Sequence, residues 1–215
     1  SQAVLAITVG SVAPGALITD GRSMATAEQY QPSPFTRVGP GIMGEIKPEV
    51  VDFGGNWVSS PPDGRMRANP GTDVFFASNQ ITPAVEHGAG TSYAAPKISY
   101  KLARILHDLS EIVEGTVSSN LMRAFLINCC TIKRTGSDND EIASLAQNFS
   151  SVSSLSNILG YGTPDLSKST SGDMYTATCY FQGIIETDKV AFFRIPIPSE
   201  FVSAAGKKRI YITVA

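Results

Sequence analysis

Apolar positions fall into three textures along this chain. The first is made of short β-branched runs. Val4-Leu5-Ala6-Ile7-Thr8-Val9 opens a buried strand predicted from Val4 to Val12, where Gly10 ends the clean run. Ile46 to Gly54 predicts a second strand, closed by Gly54-Gly55. Residues 13–45 are rich in Gly, Pro, Ser and Thr, with turn signals at Asp20-Gly21 and Gly39-Pro40-Gly41, and read as loop. Residues 56–72 read as loop again, and Thr72 to Ala77 as a short strand.

The second texture is helical. Ile98, Leu102, Ile105, Leu106, Leu109 and Ile112 recur at steps of three and four, which predicts a helix from Ala94 to Val113 with a core-facing stripe. Pro96 then falls in the first turn, where a missing N–H costs nothing. A second helix is predicted from Ser119 to Cys130, with Ser118 or Ser119 as N-cap and Leu121, Phe125, Leu126 and Cys129 facing inward. Two shorter helices are expected from Asp140 to Phe149 and from Val152 to Leu159, before Tyr161-Gly162-Thr163-Pro164-Asp165 breaks the chain.

Beyond Pro164 the texture becomes β-branched and aromatic. Met174 to Ile185, Lys189 to Ile195 and Lys208 to Val214 alternate in the manner of strands, with Pro196 and Pro198 at an edge or connection. The expected organisation is an α/β unit over residues 1–168 and the start of a β-rich, sandwich-like module over 169–215.

Composition narrows the function classes. The 215 residues are 42% apolar with a net charge of -2, which suits a globular domain and gives no electrostatic case for nucleic acid or an anionic membrane. No apolar run reaches the ~18 residues of a spanning helix. Three cysteines, two of them adjacent (Cys129, Cys130, Cys179), make a poor disulfide framework and favour a reducing, cytoplasmic compartment, with an upstream export signal left open. No metal-ligand spacing is present, so neither metal nor cofactor is expected. Both ends run straight into strand-like sequence, which suggests a piece of a longer protein.

The chemistry-bearing stretch is Gly90-Thr91-Ser92-Tyr93-Ala94-Ala95-Pro96, at the start of the strongest helix. A helix start offers unpaired N–H groups and the positive end of the helix dipole, which stabilise negative charge beside a serine oxygen. A serine there can serve as a nucleophile if a base takes its proton. The plainer alternative is that Ser92 or Thr91 only caps the helix. Small neighbours (Gly90, Ala94, Ala95) would let a substrate backbone approach.

Gly90-Thr91-Ser92-x-Ala94-x-Pro96 resembles the nucleophile signature of the subtilisin-like serine proteases. Four further segments are similar to that family in the same order: Ala6-Ile7-Thr8-Val9-Gly10-Ser11-Val12, Ser33 to Pro40, Ile46-Lys47-Pro48-Glu49-Val50, and Gly160-Tyr161-Gly162-x-Pro164-Asp165. Asp52-Phe53-Gly54 stands where Ala-Pro-Gly is usual, Tyr93 replaces a commoner Met, and the segment from Ser137 to Asn157 is longer than a minimal protease needs. Asp52-Phe53-Gly54 and Tyr93 sit near enough to the expected cleft to alter substrate preference.

The resemblance implies the C-terminal part of a doubly wound parallel-sheet catalytic domain acting on peptide or protein substrates. Ser92 would be the nucleophile and its N–H an oxyanion donor, with Gly90, Thr91, Tyr93 and His87 as substrate-binding candidates. In this family the chain order is Asp, His, Ser, so base, acid and oxyanion asparagine would lie upstream of Ser1.

Local substitutes are few. His107 lies 15 residues along the same helix from Ser92, roughly 22 Å away at 1.5 Å per residue. His87, placed in a loop five residues before Ser92, can approach it, more as a liner of the leaving-group side than as a base. Asp52, Asp63 and Asp73 read as turn or surface residues. Two other classes compete: a non-catalytic relative used as a binding or regulatory module, and an α/β-hydrolase esterase. The esterase needs a strand directly before the serine and a histidine after it, and residues 79–89 show no strand pattern.

Overall fold

The computed structural model describes residues 5–18, 22–60, 63–132, 155–169, 178–195, 197–203, 205–206 and 210–215. Two parallel strands form its centre. β1 (Val9–Val12) pairs with β3 (Val50–Phe53), with Val9 opposite Val50 and Val12 opposite Phe53. The other edge of β3 is bonded by the Gly-Tyr-Gly turn, through Val51 N–H to the Gly162 carbonyl at 3.0 Å and Tyr161 N–H to the Glu49 carbonyl at 2.8 Å. Gly160 has φ +58° there, and a Cβ on it would strike the carbonyls of Pro48 and Glu49, so only glycine fits this crossing.

The strand pair is covered by α1 (Thr91–Ile112), which buries Ala94, Ile98, Ile105 and Leu109. The buried stripe is narrower than the periodicity implies, since Leu106 and Ile112 are exposed. α2 (Ser119–Asn128) lies against α1 with Leu121, Phe125 and Leu126 buried, and Cys129 follows it into the core. The Ser118 hydroxyl accepts from Leu121 N–H at 3.1 Å, which fixes Ser118 as the N-cap. These residues, with Val50, make one core cluster; Val12, Val51, Ile158 and Leu159 make a second around the parallel strands.

Several short elements depart from the sequence reading. β1 begins at Val9, later than the expected start, because Leu5 and Ala6 lie exposed with no ladder partner. Within the stretch read as loop, β2 (Met24–Ala25), β4 (Val58–Ser60) and β5 (Arg65–Arg67) form an antiparallel sheet. Its strands are two or three residues long, too short to print an alternation. β6 (Val74–Ala77) pairs antiparallel with β7 (Val85–Gly88), so residues before Ser92 do contain a strand, although it belongs to an outlying hairpin and not to the parallel pair. β8 (Cys130–Thr131) pairs with β9 (Thr163–Pro164). Of the two short helices expected before Tyr161, one lies outside the described residues, and the other is a single turn, α3 (Ser156–Leu159).

In the expected β-rich tail, the one regular element among the described residues after Ser169 is α4 (Ser199–Ser203), and parts of the expected Met174–Ile185 and Lys208–Val214 strands lie outside the described residues. The chain reverses between Ile185 and Val190: Lys189 N–H donates to the Glu186 carbonyl at 3.1 Å, and Phe181 meets Phe193 with ring centroids 4.6 Å apart. Ile184, Phe192 and Val214 are more than nine-tenths exposed. Among the described residues no third strand joins this reversal, and a two-stranded ribbon alone gains too little burial to hold a regular ladder.

The fold class shown is therefore α/β, a parallel strand pair covered by helices with small antiparallel sheets around it. No helix among the described residues is long and apolar enough to cross a membrane.

Candidate active site

Ser92 is the second residue of α1 and is exposed. The N-cap is Gly90, whose extended backbone (φ 163°, ψ 155°) contributes no side-chain cap, so neither Thr91 nor Ser92 is the capping residue. The plain N-cap reading fails on this point. The first N–H groups of a helix have no intrahelical acceptor, and the first turn carries no acidic side chain to neutralise its positive end. Among the described residues the Ser92 hydroxyl and amide have no hydrogen-bond partner. Both are free to face an incoming group.

The loop before Ser92 is fixed by its backbone. Gly90 N–H donates to the Gly54 carbonyl at 2.7 Å, and Tyr93 N–H to the Gly90 carbonyl at 3.0 Å. Pro96 lies in the second turn of α1, not the first, because the helix starts earlier than the periodicity suggested. A helical residue at that position would donate to the Ser92 carbonyl; proline cannot, and its ring crowds that carbonyl. Ala94, expected to give room to substrate, points into the core, while Ala95 is exposed.

Tyr93 turns away from solvent. Its ring stacks on Phe76 with centroids 4.9 Å apart and covers Gly88, where a Cβ would come within 2.6 Å of the phenol oxygen. The β6–β7 hairpin is thereby seated on the start of α1. Strand alternation places His87 on the opposite face of the hairpin, beside Phe75 (ring centroids 6.1 Å).

His87 Nδ1 lies 2.7 Å from Asp73 Oδ2, and the Asp73 side chain is fully buried. Asp73 Oδ1 is buried with no hydrogen-bond partner among the described residues. His87 is thus held by a carboxylate across the base of its hairpin, on a strand and not in a loop. His107 sits on α1 as expected, exposed, with Glu111 one turn on at 3.8 Å. Among the described residues neither histidine is hydrogen-bonded to Ser92: His87 is engaged by Asp73, and His107 lies beside Glu111 farther along α1.

Of the three aspartates read as turn or surface residues, only Asp63 behaves so, pairing with exposed Arg65 and Arg67. Asp52 is buried on β3, with Oδ2 2.7 Å from Lys101 Nζ of α1 and Oδ1 accepting from Phe53 N–H at 2.8 Å. Sequence position alone could not show this. The signal was the paired appearance of Asp52 on a core strand and Lys101 on a core helix. Lys97, one turn before Lys101, donates to the Phe53 carbonyl at 3.0 Å with its ammonium 5.7 Å from the Phe53 ring centre. Burial is the main cause that pushes its pKa below the ordinary lysine value, with Lys101 adding to the shift and Asp52 opposing it.

A cleft of about 610 Å³ opens along this face of α1, between Pro96, Tyr100, Lys101 and the Pro164–Ser167 segment; Ser92 does not line it. No group of His, Cys, Asp and Glu among the described residues is arranged to hold a metal ion.

Comparison with known proteins agrees with this arrangement. Residues 1–162 match the model of the subtilase family of peptidases. Over 218 residues the chain is 31% identical to an uncharacterized protein, y4bN, of Sinorhizobium fredii, covering 97% of this chain and 48% of that protein. The chain thus spans about half the length of that relative. The parallel pair under a serine-headed helix and the family match give one conclusion: this chain belongs to the subtilase family and carries part of a protease-like domain.

Proposed function

We propose that Ser92 is the nucleophile of a serine endopeptidase. The observation that carries this reading is an exposed serine at the second position of α1, with hydroxyl and amide both uncommitted, next to a loop pinned to β3. Ser92 Oγ would add to a peptide carbonyl while a base takes its proton. The Ser92 N–H would donate to the oxyanion, and the leaving amine would depart with the proton. Gly90 and Thr91 would border the scissile bond, and His87 would line the leaving-group side from the hairpin. Tyr93 would act through its seat on that hairpin.

Base, orienting acid and second oxyanion donor would come from another part of the whole protein; the engagement of His87 by Asp73 and the site of His107 well along α1 support this reading. On this reading residues 1–168 are part of a doubly wound catalytic domain, and residues 169–215 begin a separate module. A fluorophosphonate probe tests it. The full-length protein should be labelled at Ser92, the chain described here only slowly, and Ser92→Ala not at all. Labelling of the isolated chain at the full-length rate would overturn the assignment of the base elsewhere.

A second reading has one observation in its favour: among the described residues no base is hydrogen-bonded to Ser92. A non-catalytic binding module would leave the full-length protein unlabelled while it still binds peptides.

A further inference from the structure

Three contacts tie the helix that carries Ser92 to three consecutive residues at the end of β3. Asp52 Oδ2 pairs with Lys101 Nζ at 2.7 Å. The Phe53 carbonyl accepts from Lys97 Nζ at 3.0 Å, and the Gly54 carbonyl accepts from Gly90 N–H at 2.7 Å. Lys101 also donates to the Pro164 carbonyl at 2.7 Å, which brings in β9 on the far side of β3. The contacts fall before the first turn of α1, in its second turn and in its third.

Apolar packing holds such a helix without directional bonds. The buried stripe of Ala94, Ile98, Ile105 and Leu109 supplies that packing. Charge-assisted hydrogen bonds are directional and short, and a shift of an ångström breaks them. A nucleophile must be held within about 0.5 Å of its productive position. Buried on β3, the Asp52 carboxylate accepts from Phe53 N–H, and among the described residues its cationic partner comes from α1.

We infer that Lys101 and Asp52 are positioning residues, a buried ion pair that sets the axial register of α1 on β3 and with it the placement of Ser92. The catalytic part of this inference rests on Ser92 being the nucleophile; the register part does not. It gives Asp52, which also lines the cleft beside α1, a role beyond the expected one in substrate preference. Asp52 faces the helix and acts on the site through it.

The test uses the full-length protein with two readouts, amide hydrogen exchange at Gly90 and Tyr93 and the rate of fluorophosphonate labelling. Lys101→Met strands a buried carboxylate and should lower thermal stability. Asp52→Asn with Lys101→Met removes that stranded charge, keeps an acceptor for Phe53 N–H, and should recover most of the stability. Exchange at Gly90 in the double variant should nevertheless stay about tenfold faster than in wild type, and labelling about tenfold slower. Lys101→Arg should restore both.

A double variant with wild-type exchange and labelling would reduce the pair to a structural contact and overturn the inference. So would exchange that quickens equally along all of α1. If the wild-type protein is never labelled, the nucleophile reading fails, and exchange at Gly90 still decides the register claim.

Discussion

The Gly90 amide donates to the Gly54 carbonyl at 2.7 Å, so the loop that presents Ser92 hangs from the end of the central strand β3. Gly54 has no room for a side chain: a Cβ would strike the Ser11 hydroxyl and lie 2.7 Å from the Gly90 carbonyl. Ser11 cannot retreat easily, being buried and within 2.8 Å of the Ser33 hydroxyl, which donates to the Gly55 carbonyl at 2.6 Å. Gly54→Ala is therefore expected to cost about 1–3 kcal/mol, as overpacking does. It should also displace Gly90. Thermal unfolding and probe labelling should fall together, unlike any substitution on the exposed face of α1.

Ser92→Ala should separate chemistry from stability. The side chain is exposed and makes no hydrogen bond among the described residues, so its removal is expected to change stability by less than about 0.5 kcal/mol. If the proposed reaction is right, peptide hydrolysis by the full-length protein should drop roughly 10⁶-fold, the loss found when the serine alone is removed from subtilisin. An unchanged melting temperature with residual hydrolysis near background is the expected pair of results.

Much of this was legible because the signals were periodic or covalent. The apolar spacing from Ile98 to Leu109 located α1, and Gly160 and Gly162 marked a turn that only glycine can make. The exposed serine followed from its place at a helix start. What stayed hidden depends on partners distant in sequence. Asp52 and Asp73 looked like surface carboxylates because nothing near them in the chain shows Lys101 49 residues on or His87 14 residues on. The tail is a different case. Its alternation is real, but alternation specifies a strand only where another strand or layer covers one face.

The adjacent thiols give a pH-dependent prediction. Burial is the main cause that pushes the Cys129 pKa up from 9.0 to about 11, and the Cys130 thiol is raised further by burial and by Cys129 beside it. Raised thiol values mean the folded state holds its protons where the unfolded chain releases them. The Cys129 contribution is complete below pH 9 and is lost as pH rises to about 11, while the loss from Cys130 continues to higher pH. Melting temperature should fall over that window, and Cys129→Ala with Cys130→Ala should flatten the fall. At pH 8 an alkylating reagent should modify exposed Cys179 and spare the pair.

The final prediction concerns Glu49, which gathers donors from three elements at the start of the parallel pair. Its Oε2 accepts from the Thr8 amide and hydroxyl, each at 2.6 Å; its Oε1 accepts from Lys47 at 2.7 Å and from Arg123 of α2. The Lys47 side chain is only 2% exposed, so losing Glu49 would leave a buried ammonium with the Ala6 carbonyl at 3.2 Å as its remaining partner among the described residues. Breaking a buried pair by removing one partner costs about 3–5 kcal/mol, which is the loss expected for Glu49→Ala. Arg123→Met should cost less, about 1–2 kcal/mol, because Glu49 keeps Lys47 and both Thr8 donors and because Arg123 is partly exposed. Thermal unfolding of the two variants should rank them in that order. Equal losses would show that Arg123, and not Lys47, is the cation that Glu49 chiefly neutralises.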